Sequence, residues 1–320
     1  MMSAAETSTH PYAATIRIGT RGSHLARWQA GWVADRLRAL HPGLVVALVE
    51  IKTQGDRDRN TPLAAIGGLG LFTKEIQRAL LDSSVEVAVH SLKDLPTRGP
   101  EGLILGAVPP REDAADALIA PAHRTLDALP SGATIGTGSL RRRAQLLHLR
   151  PDLNVVNVRG NVETRLSQAL QGRLDAVVLA EAGLRRLDLE GHVTERLGPP
   201  RFLPAVGQGA LGIECRRDDA ATRARLAPLD DAGTHRAVVA ERGALAELEG
   251  GCMIPMGAWA RSAEDGALAL DAAVFDPDGR ARIFASLLGP SDDPDGLGRR
   301  VAQALREQGA DRLLRRIRHS

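Results

Sequence analysis

Arginine stands where helices begin in this chain. In Gly136-Thr137-Gly138-Ser139-Leu140-Arg141-Arg142 an apolar strand pattern hands over to a helical one, and two guanidinium groups fall in the first helical turn. The helix macrodipole already places partial positive charge there, so cations are disfavoured in the absence of an anion. Arg159, Asn161 and Arg165 repeat the arrangement at the next such junction, and Arg21 does so within Gly19-Thr20-Arg21-Gly22-Ser23. Any one of these arginines could instead reach a surface carboxylate. Three junctions of the same kind point to a multiply charged anion that takes guanidinium and backbone N–H bonds together. A second group lies in His90-Ser91-Leu92-Lys93-Asp94-Leu95-Pro96, where Lys93 and Asp94 follow a buried strand. An ionised Asp only accepts hydrogen bonds, so it can hold N–H groups or steady a developing cation; the plainer alternative is a turn-capping Asp beside a solvated Lys. Cys252 follows Glu249-Gly250-Gly251, glycines that let a thiol project from a loop as a nucleophile or a point of covalent attachment. It could equally be a small buried hydrophobe, as Cys215 in the apolar run from Leu211 is read.

Other patterns fail on context. Gly207-Gln208-Gly209-Ala210-Leu211-Gly212 has dinucleotide-loop spacing but precedes a strand instead of opening a helix. Gly67-Gly68-Leu69-Gly70 lacks the Gly-Lys-Ser/Thr ending of a phosphate loop and reads as a long loop, a potential lid. No His, Cys or carboxylate cluster has metal-ligand spacing, so no metal is expected.

Length and composition set the frame. A chain of 320 residues is long enough for two or three domains, and 43% hydrophobic with 25% charged residues is the make-up of a packed globular protein. A net charge of +2 with 2% aromatics offers neither the charge nor the stacking surface of a nucleic-acid binder. Of the 41 basic residues only Lys52, Lys74 and Lys93 are lysines. No apolar run approaches the ~18 residues of a membrane helix, and the first fifteen residues have no secretory pattern. Two cysteines exclude a disulfide scaffold. A cytoplasmic protein that binds neither membrane nor nucleic acid is expected.

Strand-length apolar runs alternate with helical patterns through the first two-thirds of the chain. Strands are predicted at 15–20, 44–51, 85–90, 103–108, 134–137, 154–158 and 176–180. Helices are predicted from Ser23 to about Leu40, at 72–81, at 139–149 and up to about Gln171. This rhythm predicts parallel sheets covered by helices, with ligands beyond the carboxyl ends of the strands. The last ninety residues differ: a helix over 234–249, strands at 267–275 and 282–288 around an Asp276-Pro277-Asp278-Gly279 turn, and one closing helix from about Gly296 to Arg315. They read as a small α+β third domain.

Taken together, the motifs resemble one family. They are Ile18-Gly19-Thr20-Arg21 with Trp28-Gln29, Gly70-Leu71-Phe72, His90-Ser91-Leu92-Lys93-Asp94, and Gly138-Ser139-Leu140-Arg141-Arg142. Next come Arg159-Gly160-Asn161 with Arg165, Leu203-Pro204-Ala205-Val206-Gly207-Gln208-Gly209, and Glu249-Gly250-Gly251-Cys252. In this order they are similar to the porphobilinogen deaminases (hydroxymethylbilane synthases) of tetrapyrrole biosynthesis, over nearly the whole chain from about Thr15. The resemblance implies a transferase that condenses four porphobilinogen molecules head to tail, releasing ammonia at each addition, on a dipyrromethane cofactor. Each pyrrole bears an acetate and a propionate, so the growing chain is a polyanion. By position, Cys252 would carry the cofactor through a thioether, and Asp94 would be the catalytic carboxylate with Lys93 beside it. Lys93, Ser139, Arg141, Arg142, Arg159 and Arg165 would hold the cofactor. Arg21, Ser23, Gln29 and Phe72 would meet incoming substrate.

The implied fold is α/β. It has two periplasmic-binding-protein-like lobes with mixed, mostly parallel sheets, at 1–110 with 205–230 and at 111–204, and an α+β third domain at 231–320. A monomer is expected. Leu69 and Ala65 stand where relatives often have Lys, and Gly138 where they often have Ser, so no role of those side chains transfers. The rival from another class is a non-enzymatic two-lobed protein binding an organic anion, with Cys252 structural. It leaves the third domain without a task.

Overall fold

The computed structural model describes residues 15–57, 73–248 and 254–318. The first lobe starts with β1 (Thr15–Thr20), α1 (His24–Leu40), β2 (Val45–Glu50), the short α2 (Gln54–Arg57), α3 (Lys74–Leu81), β3 (Val87–Ser91) and β4 (Leu103–Ala107). The chain then crosses to a second lobe of β5 (Asp116–Ile119), β6 (Thr134–Gly136), α4 (Leu140–Leu149), β7 (Asn154–Val156), α5 (Val162–Leu170), β8 (Ala176–Ala180), α6 (Glu181–Arg185) and β9 (Glu195–Leu197). It returns through residues 205–210 to β10 (Leu211–Arg216) and α7 (Ala220–Leu226). The sheets run β2-β1-β3-β10-β4 and β7-β6-β8-β5-β9, so each lobe is the same five-stranded design. In the first, β1 is parallel to β2 and β3 while β10 runs antiparallel to β3 and β4. In the second, β6 is parallel to β7 and β8, and β5 runs antiparallel to β8 and β9. Two mixed sheets, each with one reversed strand supplied by a crossover, are the two-lobed fold of binding-protein type. The crossovers make the lobes' only sheet-to-sheet covalent links a pair of adjacent segments, 108–115 and 198–210.

Local chemistry fixes the helix starts that face the cleft. Ser23 caps α1 by accepting from the Ala26 N–H, Ser139 caps α4 by accepting from Arg142, and Asn161 caps α5 by accepting from Thr164. These caps satisfy donors that a helix start otherwise leaves open. Neither α1 nor α4 has an acidic residue in its first turn. The parallel strands carry apolar residues on both faces, and Ile16, Ile18, Ile135 and Val177 are wholly buried.

The third domain consists of α8 (Ala232–Glu247), β11 (Met256–Ser262), β12 (Leu268–Phe275), β13 (Arg282–Gly289), α9 (Pro294–Glu307) and α10 (Ala310–Arg318), with the antiparallel order β11-β12-β13. Helices α8 and α9 cover one sheet face. The other face puts Ala273 and Phe275 against Ala144 and Leu203 of the second lobe. Val238 of α8 joins Leu92, Leu95 and Val108 of the first lobe.

Several features depart from the sequence prediction, among them the short helices α2, α6 and α7, which were not predicted. The closing helix is two helices, broken at Gly309, whose φ of 98° only glycine adopts without strain. β5, β9 and β11 were not predicted. β5 and β9 are short, and β11 (Met-Gly-Ala-Trp-Ala-Arg-Ser) is built largely of small residues with weak strand preference.

Candidate active site

The cleft lies at the carboxyl ends of β1 and β3 in one lobe and of β6 and β8 in the other. Two adjoining hollows occupy it. One, about 400 Å³, is lined by Arg21, Ser23, Gln29, His90, Ser91 and Asp94. The other, about 500 Å³, takes Lys93 from the first lobe and Arg142, Arg165 and Arg186 from the second. They share Leu25, Gln29 and Ser91. Gln29 and Ser91 bond to each other, the amide Nε2 donating to Ser91 Oγ at 2.8 Å, and so fix α1 against the end of β3. Lys93 and Asp94 sit on a single helical turn just after β3, and therefore open toward opposite sides of this shared wall. Asp94 is exposed and Lys93 half-buried.

Beneath that turn lies a buried polar trio. His90 Nε2 is 3.1 Å from Glu214 Oε2, and Gln77 Nε2 donates to both Glu214 oxygens at 3.1 Å. Because β10 is antiparallel to β3 with Gly212 opposite His90, the trio ties the returning strand and α3 to the end of β3.

In the second lobe the arginine pair at the start of α4 converges on one carboxylate. Asp116, with a side chain 0% exposed, accepts from Arg141 Nη1 at 2.7 Å and from Arg142 Nε at 2.8 Å and Nη2 at 2.7 Å. Arg141 Nη1 also donates to the Leu203 carbonyl, and Arg142 Nη1 to that of Val178. Arg142 reaches the larger hollow; Arg141 stands behind it. Burial works against the Asp116 charge, yet Arg141 and Arg142 prevail and lower its pKa to about 2. The Lys93 pKa is lowered as well, but there the charged form is disfavoured: burial, then the Arg142 charge, brings it to about 8 against the pull of Asp94 and Asp116. Arg165 is lowered by burial and by Arg142, Asp94 opposing. Arg159, half-buried, adds its charge to the same neighbourhood. Ser139 caps α4 and lines neither hollow.

The structure thus brings Arg21, Ser23, Gln29, Lys93, Asp94, Arg142 and Arg165 to one cleft, with Ser139, Arg141 and Arg159 at its edge or behind it. Phe72 and Cys252 lie outside the described residues, as does the Gly67–Gly70 loop. Sequence reasoning missed Asp116, Gln208 and Arg186. Arg186, at the end of α6, donates to the Gly209 carbonyl at 2.6 Å, and burial lowers its pKa to about 10. An arginine in that place reads as an ordinary helix-end cation. A charged residue opening the apolar run Asp116-Ala117-Leu118-Ile119 was the available signal for Asp116.

Known proteins decide what the cleft serves. The family model described as porphobilinogen deaminase, dipyromethane cofactor binding domain, matches residues 16–224, and that of the porphobilinogen deaminase C-terminal domain matches residues 235–307. The chain belongs to the porphobilinogen deaminase family. The porphobilinogen deaminase of Syntrophotalea carbinolica is 51% identical over 299 residues, covering 93% of this chain and 95% of its own. That of Desulforudis audaxviator is 52% identical over 303 residues, covering 95% and 98%. Among solved structures, a putative methionine-binding lipoprotein from Bacillus subtilis covers 67% of this chain and 89% of its own, with a TM-score of 0.42 at 14% identity. The activity is therefore that of a hydroxymethylbilane synthase, a transferase of tetrapyrrole biosynthesis that condenses four porphobilinogen molecules on a dipyrromethane cofactor. No helix among the described residues is long and apolar enough to cross a membrane.

The residues present suit such an acidic cofactor. Arg141 Nε and Arg165 Nε are buried without a hydrogen-bond acceptor. Buried guanidinium donors are costly to leave unmatched. Carboxylates in the larger hollow would supply an acceptor to Arg165, which lines it, and offset the charge that depresses Lys93.

Proposed function

We propose that Asp94 is the catalytic carboxylate, that Lys93 assists it, and that the two hollows divide the work between incoming substrate and bound cofactor. The division follows lobes at 1–110 with 205–230 and at 111–204, and a third domain at 231–320. Arg21, Ser23 and Gln29, with Phe72, receive porphobilinogen through its acetate and propionate. Lys93, Ser139, Arg141, Arg142, Arg159 and Arg165 hold the carboxylates of the dipyrromethane, which Cys252 anchors through a thioether. The cofactor, when bound, supplies the nucleophilic pyrrole carbon to which rings are added.

The carrying observation is the position of Asp94. It lies in the hollow with Arg21 and Ser23, one residue from Lys93 in the hollow with Arg142 and Arg165, across a wall of Gln29 and Ser91. There its carboxylate accepts the pyrrole N–H of porphobilinogen. As the carbon–nitrogen bond breaks and ammonia leaves, the positive charge spread over the ring and its methylene stays beside that carboxylate. Stabilising charge that develops only in the transition state is the most productive use of a fixed ion. Lys93, cationic below about pH 8, keeps the neighbouring carboxylates in place.

Asp94→Ala is the test. It should retain the two-ring mass adduct and bind porphobilinogen, but turn over about 100-fold or more slowly, the scale of losing one electrostatic stabiliser. Turnover near that of the parent enzyme removes Asp94 from this role. The same reading has the enzyme acting as a cytoplasmic monomer, which sedimentation and fractionation would check.

A further inference from the structure

We propose that Asp116 is a positioning residue for the reaction, holding Arg141 and Arg142 directly and Lys93 through Gln208 in the arrangement that meets an acidic pyrrole chain. The proposal rests on the reading of the larger hollow given above. Its basis is one continuous buried network. Asp116 Oδ1 accepts from Arg142 and from Gln208 Nε2, the latter at 2.9 Å, and Oδ2 accepts from Arg141. Gln208, also 0% exposed, donates to the Ala114 carbonyl at 2.7 Å, and its Oε1 accepts from Lys93 Nζ at 3.3 Å. The carboxylate is the first residue of β5, held in register between Ala180 of β8 and Leu197 of β9. Gln208 lies on the second crossover between the lobes. One amide therefore joins a cation of the first lobe to an anion of the second.

The physical need is plain. Lys93, Arg141, Arg142 and Arg165 bring four positive charges to a small, poorly solvated volume, and such like charges destabilise one another. A neutralising carboxylate in the cavity itself would compete with the ligand's carboxylates. Asp116 avoids this by sitting behind the guanidinium groups. It engages Arg142 through Nε and Nη2, which fixes the plane and direction of that fork. Because Asp116 itself lines neither hollow, it acts only through the residues it holds.

The experiment measures covalent loading of full-length protein. Bare chain, purified from cells that make no porphobilinogen, is mixed with porphobilinogen, and the two-ring adduct is followed by intact mass. Asp116→Asn, nearly isosteric but uncharged, should load at least about tenfold more slowly, the effect of weakening one charge-assisted contact. In its loaded fraction KM should rise more than kcat falls, and Asp116→Glu should recover part of the loading rate. Thermal melts show that the compared proteins are folded, so a purely structural role would leave loading of the folded chain unchanged. Loading of folded Asp116→Asn at the parent rate overturns the proposal. Should that variant not fold, Gln208→Met carries the test, since it cuts the link to Lys93 without removing a charge: slower loading supports the network, and parental loading overturns it. Arg142→Ala separates the two levels. If it too loads normally, the reading of the hollow fails; if it is slowed and the network variants are not, only this inference fails.

Discussion

Glu241→Gln should loosen the whole molecule from one buried point. Glu241 lies on α8 with its side chain fully buried, and four donors converge on its carboxylate. Arg111 gives Nη1 at 2.6 Å and Nη2 at 3.2 Å, while Gly207 and Ala260 give backbone N–H groups at 2.7 and 2.9 Å. Arg111 is 12% exposed at its side chain and also donates through Nε to the Gln208 carbonyl at 2.7 Å. The amide keeps one acceptor oxygen but turns an N–H₂ toward donors and leaves Arg111 without its counter-charge. Breaking a buried pair from one side costs about 3–5 kcal/mol, set against a total of about 5–15 kcal/mol. With a urea dependence of about 3 kcal/mol per molar, the first unfolding midpoint should fall by about 1–1.7 M. Arg111→Met alone should destabilise too. The double variant should cost less than the sum of the singles by at least about 1 kcal/mol, because neither ion is then stranded. Equilibrium urea unfolding followed by circular dichroism reads all four proteins. A midpoint unchanged within error in Glu241→Gln, or strictly additive singles, would refute the claim that this pair clamps the crossovers.

Three further outcomes follow from individual groups. With its pKa lowered to about 8 from an ordinary value near ~10.4, Lys93 is neutral in the native state where the unfolded chain still binds its proton. Stability should therefore rise with pH between those values, and Lys93→Met should remove that slope in pH-dependent denaturation. Activity of the loaded enzyme should run the opposite way, falling at alkaline pH as the cation is lost, with a midpoint above about 8 because the cofactor's carboxylates offset the burial that depresses Lys93; a flat alkaline profile would count against the placement of Lys93. Thiol titration tests the cofactor linkage: Cys215 is fully buried and burial raises its pKa to about 11, so native loaded protein should show no reactive thiol. After denaturation one thiol should appear, since Cys252 is held in a thioether, and a second would sink that assignment.

The alternation of strand and helix was legible because both lobes bury their parallel strands on two faces, which writes long apolar runs into the sequence. β5 and β9 were not, since a four-residue strand led by an Asp and a three-residue Glu-Arg-Leu strand carry almost no periodic signal. The helix-start arginines were legible for a related reason: their clash with the macrodipole is a local fact. Asp116 resolves part of that clash, yet it lies 25 and 26 residues before Arg141 and Arg142. Only the antiparallel placement of β5 beside β8 brings it there. A sequence shows a surplus of charge more readily than the distant carboxylate that answers it.

The position of Gly207 and Gln208 adds a mechanical consequence. The Gly207 N–H is held by Glu241 of the third domain, the Gln208 carbonyl by Arg111 of the first crossover, and the Gln208 side chain by Asp116 and Lys93 in the two lobes. Gly209 follows with a φ of 85°, so close to the first crossover that a Cβ there would lie 2.3 Å from the Glu112 carbonyl oxygen. Three successive residues of the second crossover thus bear on both lobes, and the first of them on the third domain as well. A change of angle between the lobes must alter at least one of these bonds. Since α8 leads directly into the segment that holds Cys252, the crossover bonded to Glu241 bears on both lobes and on the helix from which that segment starts.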